Sequence, residues 1–201
     1  MQRVFMIKIP CHCGNTIESS LDTEINLAAD PEVYTKIVEG EFMTFTCPNC
    51  GNELKTETAL HLFDERNKLD IQFIPELDRG NYLGGHIAVK AKRVAIGYRE
   101  LVEKIVIAGA GLDDRVIEII KFRLLEKADA DNISISLNGT DDESLVFHIY
   151  GLKPDQVGIS HIPKTIYSKI ESELDELLEN EDIKLFTDGP YVSVSRVYLE
   201  D

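Results

Sequence analysis

What the chain lacks narrows its class before any motif is considered. No apolar run approaches the roughly 18 residues that a membrane helix needs, and Met1 to Pro10 lacks the apolar core of a secretory signal. These absences predict a soluble, cytoplasmic protein with no membrane partner. Positive charge is also scarce: 21 Lys and Arg stand against 36 Asp and Glu, for a net charge of -15. A nucleic-acid binder gains most of its affinity by neutralising phosphates and needs a basic face, so this excess argues against nucleic acid as a partner. Only residues 76–97 are net basic, with Arg79, Lys90, Lys92 and Arg93 too few for a phosphate track, and they read as a solvated linker. The acidity is expected to serve solubility and repulsion between copies.

Several catalytic signatures are missing too. There is no nucleophile elbow, no Walker loop and no paired His-Glu motif, no internal repeat and no low-complexity tract. Gly109-Ala110-Gly111 precedes a predicted helix, but the third glycine of a phosphate-cradling fingerprint is replaced by Asp114, and Asp113 adds a second charge where an anion would sit. The stretch reads as a turn between helices. His61, His86, His148 and His161 stand singly, with no nucleophile or metal partner near in sequence, and are expected to be structural. The carboxylates from Glu171 to Glu181 suit a solvated helix face.

What is present is enough apolar matter to fold, 43% hydrophobic residues, over 201 residues that allow one large domain or two small ones. Residues 1–75 read as short strands and turns, with alternation through Leu54, Thr56, Thr58, Leu60 and Leu62. A polar turn at Asp64 to Lys68 then returns into Leu69 to Phe73, which predicts a hairpin. Asp30-Pro31-Glu32 supplies an N-cap, a first-turn proline and an early acid, and Gly40 closes the short helix that follows. The glycine-rich stretch 76–97 predicts a connector with one strand at Ile87 to Val94. Beyond it, Tyr98 to Ala108 and Asp113 to Lys127 predict two helices, the second apolar nearly all round and therefore buried. Ile133, Ile135 and Leu137, then a turn begun by Asn138-Gly139, then Leu145, Phe147 and Ile149 predict another hairpin. One amphipathic stripe runs from Ile166 to Leu178 in a helix opened near Pro163, and Tyr191 to Leu199 predicts a closing strand. The fold class expected is α+β, with an N-terminal domain at 1–75, a connector at 76–97 and an α+β domain at 98–201.

The four cysteines fall in two close pairs, Cys11-His12-Cys13 and Cys47-Pro48-Asn49-Cys50, with 33 residues between the pairs and no cysteine elsewhere. Two thiolate pairs from two turns complete a tetrahedron around zinc, and sites with four cysteines are usually structural. Pro48 presets the turn of the second pair, and Gly51 can take the positive φ that aims amides at sulfur. Those donors spread the charge of four thiolates around a dication. Cys11, Cys13, Cys47 and Cys50 are therefore the expected zinc ligands. The single residue between Cys11 and Cys13 makes a tighter ring than the usual two to four, while His12 is expected to be merely exposed. Four reduced thiols in a small core remain an alternative, and so does thiol-disulfide oxidoreductase chemistry at Cys47 and Cys50. Against the latter, Gly51 and Asn52 lead into a strand, so no helix dipole faces the sulfur.

These cysteine motifs, the Asp30-Pro31-Glu32 helix, Glu39-Gly40 ahead of Cys47-Pro48-Asn49-Cys50-Gly51, and the Leu60 to Asp64 segment resemble the CpXC domain. That bacterial and archaeal domain is named for two Cys-Pro-x-Cys motifs and presumed to bind metal. The likeness covers roughly residues 5–75, and Gly111-Leu112-Asp113-Asp114-Arg115 is similar to a phrase in its longer members. Cys11-His12-Cys13 departs from the motif, being one residue short and having its proline, Pro10, just outside. The resemblance implies a zinc-ribbon-like module without an inherited activity. Together these readings predict a non-enzymatic zinc protein that works through an unidentified protein partner, its oligomeric state left open.

Overall fold

The computed structural model describes residues 4–128 and 132–198. The chain folds as two compact units, Met1–Val102 and Glu103–Asp201, and it mixes helix and strand as expected. Among the described residues, no helix is long and apolar enough to cross a membrane.

The first unit begins with an antiparallel pair, β1 (Val4–Pro10) and β2 (Thr16–Asp22), joined by the first cysteine loop. A short β3 (Glu24–Asn26) leads to α1 (Pro31–Glu39). Asp30 caps this helix by accepting the Val33 N–H, and Gly40 ends it in the left-handed region at φ 84°. A second antiparallel pair, β4 (Thr44–Thr46) and β5 (Glu53–Lys55), carries the second cysteine loop. Next come β6 (Leu60–Asp64) and β7 (Leu69–Ile74), the hairpin read from the sequence, with Leu60 opposite Phe73 and Asp64 opposite Leu69. Asp64 fixes its turn by accepting from the N–H groups of Arg66 and Asn67. Leu60, Leu62, Ile71 and Phe73 are buried on one face, which explains the alternation.

Three expectations for this unit are corrected. The run Leu54 to Leu62 is not continuous strand, because the Thr56 N–H turns to the Met43 carbonyl. Beside it, the Glu57 carboxylate accepts the N–H groups of Glu76 and Tyr98. The segment 76–97 is not a plain connector: it forms a 3-10 turn at Glu76–Asp78, α2 (Arg79–Leu83) and β8 (Arg93–Ile96). Its strand is also displaced, to Arg93–Ile96 rather than 87–94, because β8 pairs in parallel with β7 and buries Val94, Ala95 and Ile96. The sheet so formed has the order β3-β6-β7-β8.

The helix α3 (Gly97–Gly109) starts in the first unit and ends in the second, and α4 (Asp114–Lys127) follows, capped by Asp113. Gly111 makes the turn between them at φ 69°, as a helix-to-helix turn requires. Then β9 (Ser134–Thr140), β10 (Ser144–Lys153) and β11 (Gln156–Pro163) form an antiparallel sheet of order β11-β10-β9. The predicted turn at Asn138-Gly139 is corrected: Gly139 pairs with Val146 while Leu137 pairs with Phe147, so Asn138 is the extra residue of a bulge. The reversal comes later, where the Asp141 carboxylate accepts from the N–H groups of Glu143 and Ser144. The strand β11 has no counterpart in the sequence reading.

The stripe from Ile166 to Leu178 is split into α5 (Lys164–Ser172) and α6 (Leu174–Leu177), which meet at Glu173, before α7 (Glu181–Thr187) and α8 (Ser195–Tyr198) close the chain. Tyr191 to Tyr198 is thus not a strand, and Leu199 lies outside the described residues. The backbone of that segment is claimed elsewhere. Lys104 donates to the Val192 carbonyl, Ser193 donates to the Phe186 carbonyl, and the Glu118 carboxylate accepts the Val194 N–H.

The core of the second unit includes Val116, Ile117, Ile119, Phe147 and Phe186, all with no exposed surface. Set into it is a polar cluster that the apolar reading of α4 hid. Lys121 donates to Glu103 and Glu118 at 2.9 Å each, and the other oxygen of Glu103 accepts the Leu137 N–H. Lys104 binds Asp114 at 2.8 Å. Burial pushes the Glu103 carboxyl above its ordinary range; at Lys121, burial opposes the charge, but Glu103 and Glu118 outweigh it and hold the ammonium above its ordinary value. Lys121→Met strands two buried carboxylates without their cation, a change that costs about 3–5 kcal/mol and that urea unfolding followed by circular dichroism will register at neutral pH. A carboxyl whose pKa is raised by folding takes up a proton as the chain folds, so stability from it falls as pH rises from the ordinary carboxylate range near 4.5. The deficit of the variant is accordingly expected to shrink as the pH is lowered toward that value.

Candidate metal centre

Both cysteine loops are built to one plan. In the first, the Cys11 N–H donates to the Asn15 carbonyl at 2.8 Å and Gly14 returns its N–H to the Cys11 carbonyl at 2.9 Å. In the second, the Cys47 N–H donates to the Asn52 carbonyl at 2.8 Å and Gly51 returns its N–H to the Cys47 carbonyl at 2.9 Å. Gly14 at φ 85° and Gly51 at φ 74° each occupy the left-handed region, where a side chain would be strained. Each loop therefore ends in Cys-Gly-Asn, and the first is simply one residue shorter. The strand β1 ends at Pro10, opposite Thr16, so its proline lies outside the ring, in the last ladder position.

The structure brings all four cysteines together. Their sulfurs lie within 4.8 Å of one another, with Cys11 Sγ 3.6 Å from Cys50 Sγ and Cys13 Sγ 3.7 Å from Cys47 Sγ. None is in a disulfide. Four sulfurs each about 2.3 Å from one tetrahedral zinc stand about 3.8 Å apart, so the donor set fits such an ion in both number and spacing. The short Cys11-His12-Cys13 ring does not keep Cys11 out of the cluster, while His12 is exposed and has no place in it.

Donors converge on the sulfurs as an anionic site requires. The N–H of Cys13 points at Cys11, that of Asn15 at Cys13, that of Asn49 at Cys47 and that of Asn52 at Cys50. Each sulfur thus takes an amide from two residues further along. Two side chains then cross between loops, the Asn49 amide donating to Cys13 Sγ at 3.4 Å and the Asn15 amide to Cys47 Sγ at 3.7 Å. These asparagines were missed in the sequence. The signal for them was slight, an Asn inside or just after each cysteine pair.

The protonation balance follows from these donors. The Asn49 N–H, aided by the Cys50 N–H and the Asn15 amide, lowers the Cys47 thiol to about 6. The Asn49 side chain, then the Asn15 N–H, lowers Cys13. At Cys50 the Asn52 N–H favours the thiolate, but burial and the three neighbouring thiols outweigh it and push the group up to about 12. Cys11 is raised in the same way, its favourable Cys13 N–H being outweighed by burial and by the Cys13 and Cys47 thiols. Cys47 and Cys13 are thus shifted toward the thiolate, Cys50 and Cys11 toward the thiol, and a divalent cation entering such a set displaces the protons that remain on its ligands.

The surroundings hold the second loop in place. Lys55, the last residue of β5, donates to the Gly40 carbonyl at 2.7 Å, and its ammonium sits 3.4 Å above the Tyr98 ring. The Tyr98 hydroxyl donates to the Ile37 carbonyl at 2.9 Å, tying that ring to α1. Two of the histidines read as structural have ordinary partners: His61 binds Asp70 at 2.7 Å and stacks on Phe63, and His161 faces Asp141.

The family profile described as CpXC protein matches residues 9–121. The chain belongs to the CpXC family. The CpXC match takes in both cysteine loops and continues through Gly111 to Arg115 into α4, well past the 5–75 likeness legible in the motifs. A protein of Treponema pallidum (strain Nichols), described as uncharacterized, is 25% identical over 219 residues, an alignment covering 97% of this chain and 100% of that relative. No solved structure matches the chain.

Outer donors of this kind contribute about 10–100-fold to metal affinity. Asn49→Ala is expected to weaken zinc binding by about that factor in competition with a chromophoric chelator. An affinity equal to that of the unaltered chain would show that the amide only fills space.

Proposed function

We propose that this CpXC protein is a non-enzymatic zinc protein in which Cys11, Cys13, Cys47 and Cys50 hold one structural ion. In this reading the ion organises an N-terminal zinc-ribbon-like module, and the chain acts by binding or assembling with a protein partner in the reducing cytoplasm. The observation that carries it is the sulfur cluster, four donors within 4.8 Å supplied by the tips of two antiparallel hairpins. A donor set made wholly of thiolates suits zinc better than a hard cation, and four filled positions leave none for an activated water. The charge of -15 favours a protein partner over a nucleic acid.

The rival reading, thiol-disulfide exchange at Cys47 and Cys50, draws on the lowered Cys47 thiol. It is the weaker one, because β5 and not a helix follows Cys50, and the lowering comes from the loop amides that equally suit a metal-bound thiolate.

Structural zinc sites give on the order of 10–16 kcal/mol of apparent binding energy. The purified chain is expected to carry one zinc, and chelation is expected to melt the N-terminal module while the helical signal of the second unit persists. Elemental analysis with thermal melts measures both. A metal-free, folded chain with a cycling Cys47–Cys50 disulfide would replace this reading with the rival one, and iron in place of zinc would change the metal. Affinity capture from the native cell, with Cys47→Ser as control, tests the partner: one that is lost with the variant assigns the module its role.

A further inference from the structure

The four sulfurs are not equivalent in access. Cys11 and Cys47 are 7% and 1% exposed, whereas Cys13 and Cys50 lie at the surface. Two of the sulfur contacts, at 3.6 and 3.7 Å, each join one sulfur of each kind and run between loops: exposed Cys50 to buried Cys11, and exposed Cys13 to buried Cys47. Fully enclosed structural cysteines are chemically inert, but a solvent-facing thiolate with a second sulfur at hand is the arrangement that oxidises reversibly. The crossing amides reinforce the pairing, since Asn49 reaches Cys13 from the opposite loop and Asn15 reaches Cys47 from the opposite loop.

We propose that the cluster is a site of oxidative modification by hydrogen peroxide or organic hydroperoxides, which converts it to Cys13–Cys47 and Cys11–Cys50 disulfides and abolishes metal binding. The inference rests on the reading of the cluster as a zinc site. Exposed Cys13 attacks one peroxide oxygen, the O–O bond breaks, and the departing hydroxide takes a proton to become water. Cys13, oxidised by two electrons, is left as a sulfenic acid. Buried Cys47 then attacks the Cys13 sulfur, the S–O bond breaks, a second hydroxide leaves and is protonated to water, and the S–S bond forms. Two thiolates, one peroxide and two protons thus give one disulfide and two waters. Cys50 and Cys11, which give up their protons when the cation binds, repeat the sequence as thiolates with a second peroxide.

The products differ from those of an exchange enzyme. A Cys47–Cys50 disulfide closes one loop on itself, whereas the two cross-loop bonds tie the β1–β2 hairpin to the β4–β5 hairpin where the ion did so before. The sulfurs need only close from 3.6 and 3.7 Å to the bonded distance of about 2.05 Å. Oxidised thiols have no thiolate to offer a cation, so the modification trades a metal tie for a covalent one.

The test begins with the whole chain, reduced and loaded with zinc without air, its zinc counted before any oxidant is added. Hydrogen peroxide is then titrated in while a chromophoric indicator reads free zinc, and a non-reduced digest is mapped by mass spectrometry. Complete zinc release at about two peroxides per chain, with peptides linking Cys13 to Cys47 and Cys11 to Cys50, is expected, and dithiothreitol with zinc should restore the starting state. Zinc retained beside four free thiols in excess peroxide overturns the proposal. So do bonds confined to Cys11–Cys13 and Cys47–Cys50, or irreversible sulfinic acids in place of disulfides. A reduced chain that takes up no zinc fails at the first count, which overturns the zinc reading rather than the pairing, and its own digest still reports which sulfurs join. Cys13→Ser is expected to lose the bond to Cys47 while keeping Cys11–Cys50, a pattern that loss of zinc alone does not produce.

Discussion

Amide groups aimed at sulfur are the constraint on which the first unit depends. Four cysteines within 4.8 Å repel one another once ionised, and the loops tolerate them because backbone N–H groups and two asparagine side chains meet the developing charge. The strands that deliver these loops are slight. The pair β4–β5 has three residues on each strand, and β1 buries little more than Ile7 and Ile9. Isolated two-stranded ribbons of that size are marginal in water. Their geometry is fixed by what happens at their tips, and the left-handed glycines Gly14 and Gly51 are what let those tips turn.

The second unit rests on a different balance. Its core is large and apolar, yet it contains the ions Glu103, Glu118, Lys121, Lys104 and Asp114. Among the described residues no buried side-chain nitrogen or oxygen lacks a partner, which is the condition under which such groups are tolerated. These ions also accept or donate to the backbone at Leu137, Val192 and Val194. They thereby satisfy an irregular C-terminal segment that would otherwise bury unpaired amides. Charge here does the work that a strand ladder does elsewhere, and it is why Tyr191 to Val194 can be buried without being a strand.

Local chemistry was readable wherever it is confined to a few neighbouring residues. The Asp30 cap, the Gly40 stop, the Leu60 to Phe73 hairpin and the turn at Gly111 all appear where side-chain type alone demands them. The errors have a common cause. Asn138-Gly139 carries the strongest short hairpin signal, yet register against β10 makes it a bulge. The residues 87–94 look extended, yet the strand forms only where β7 offers backbone partners. The apolar periodicity of α4 concealed Glu118 and Lys121, which are buried because Glu103 and Val194 reach them from distant positions.

By itself the sequence determined that two cysteine pairs exist, that each sits on a glycine-assisted turn, and that the chain is acidic, α+β and of the CpXC type. Those are properties of residue identity and spacing, which short-range sterics and hydrogen bonding translate directly. Only the tertiary structure decided which sulfurs face one another, which two are open to solvent, and that Asn15 and Asn49 serve the opposite loop. These depend on where two cysteine pairs separated by 33 residues come to rest. That placement is set by long-range packing and pairing, and no local pattern in the chain encodes it.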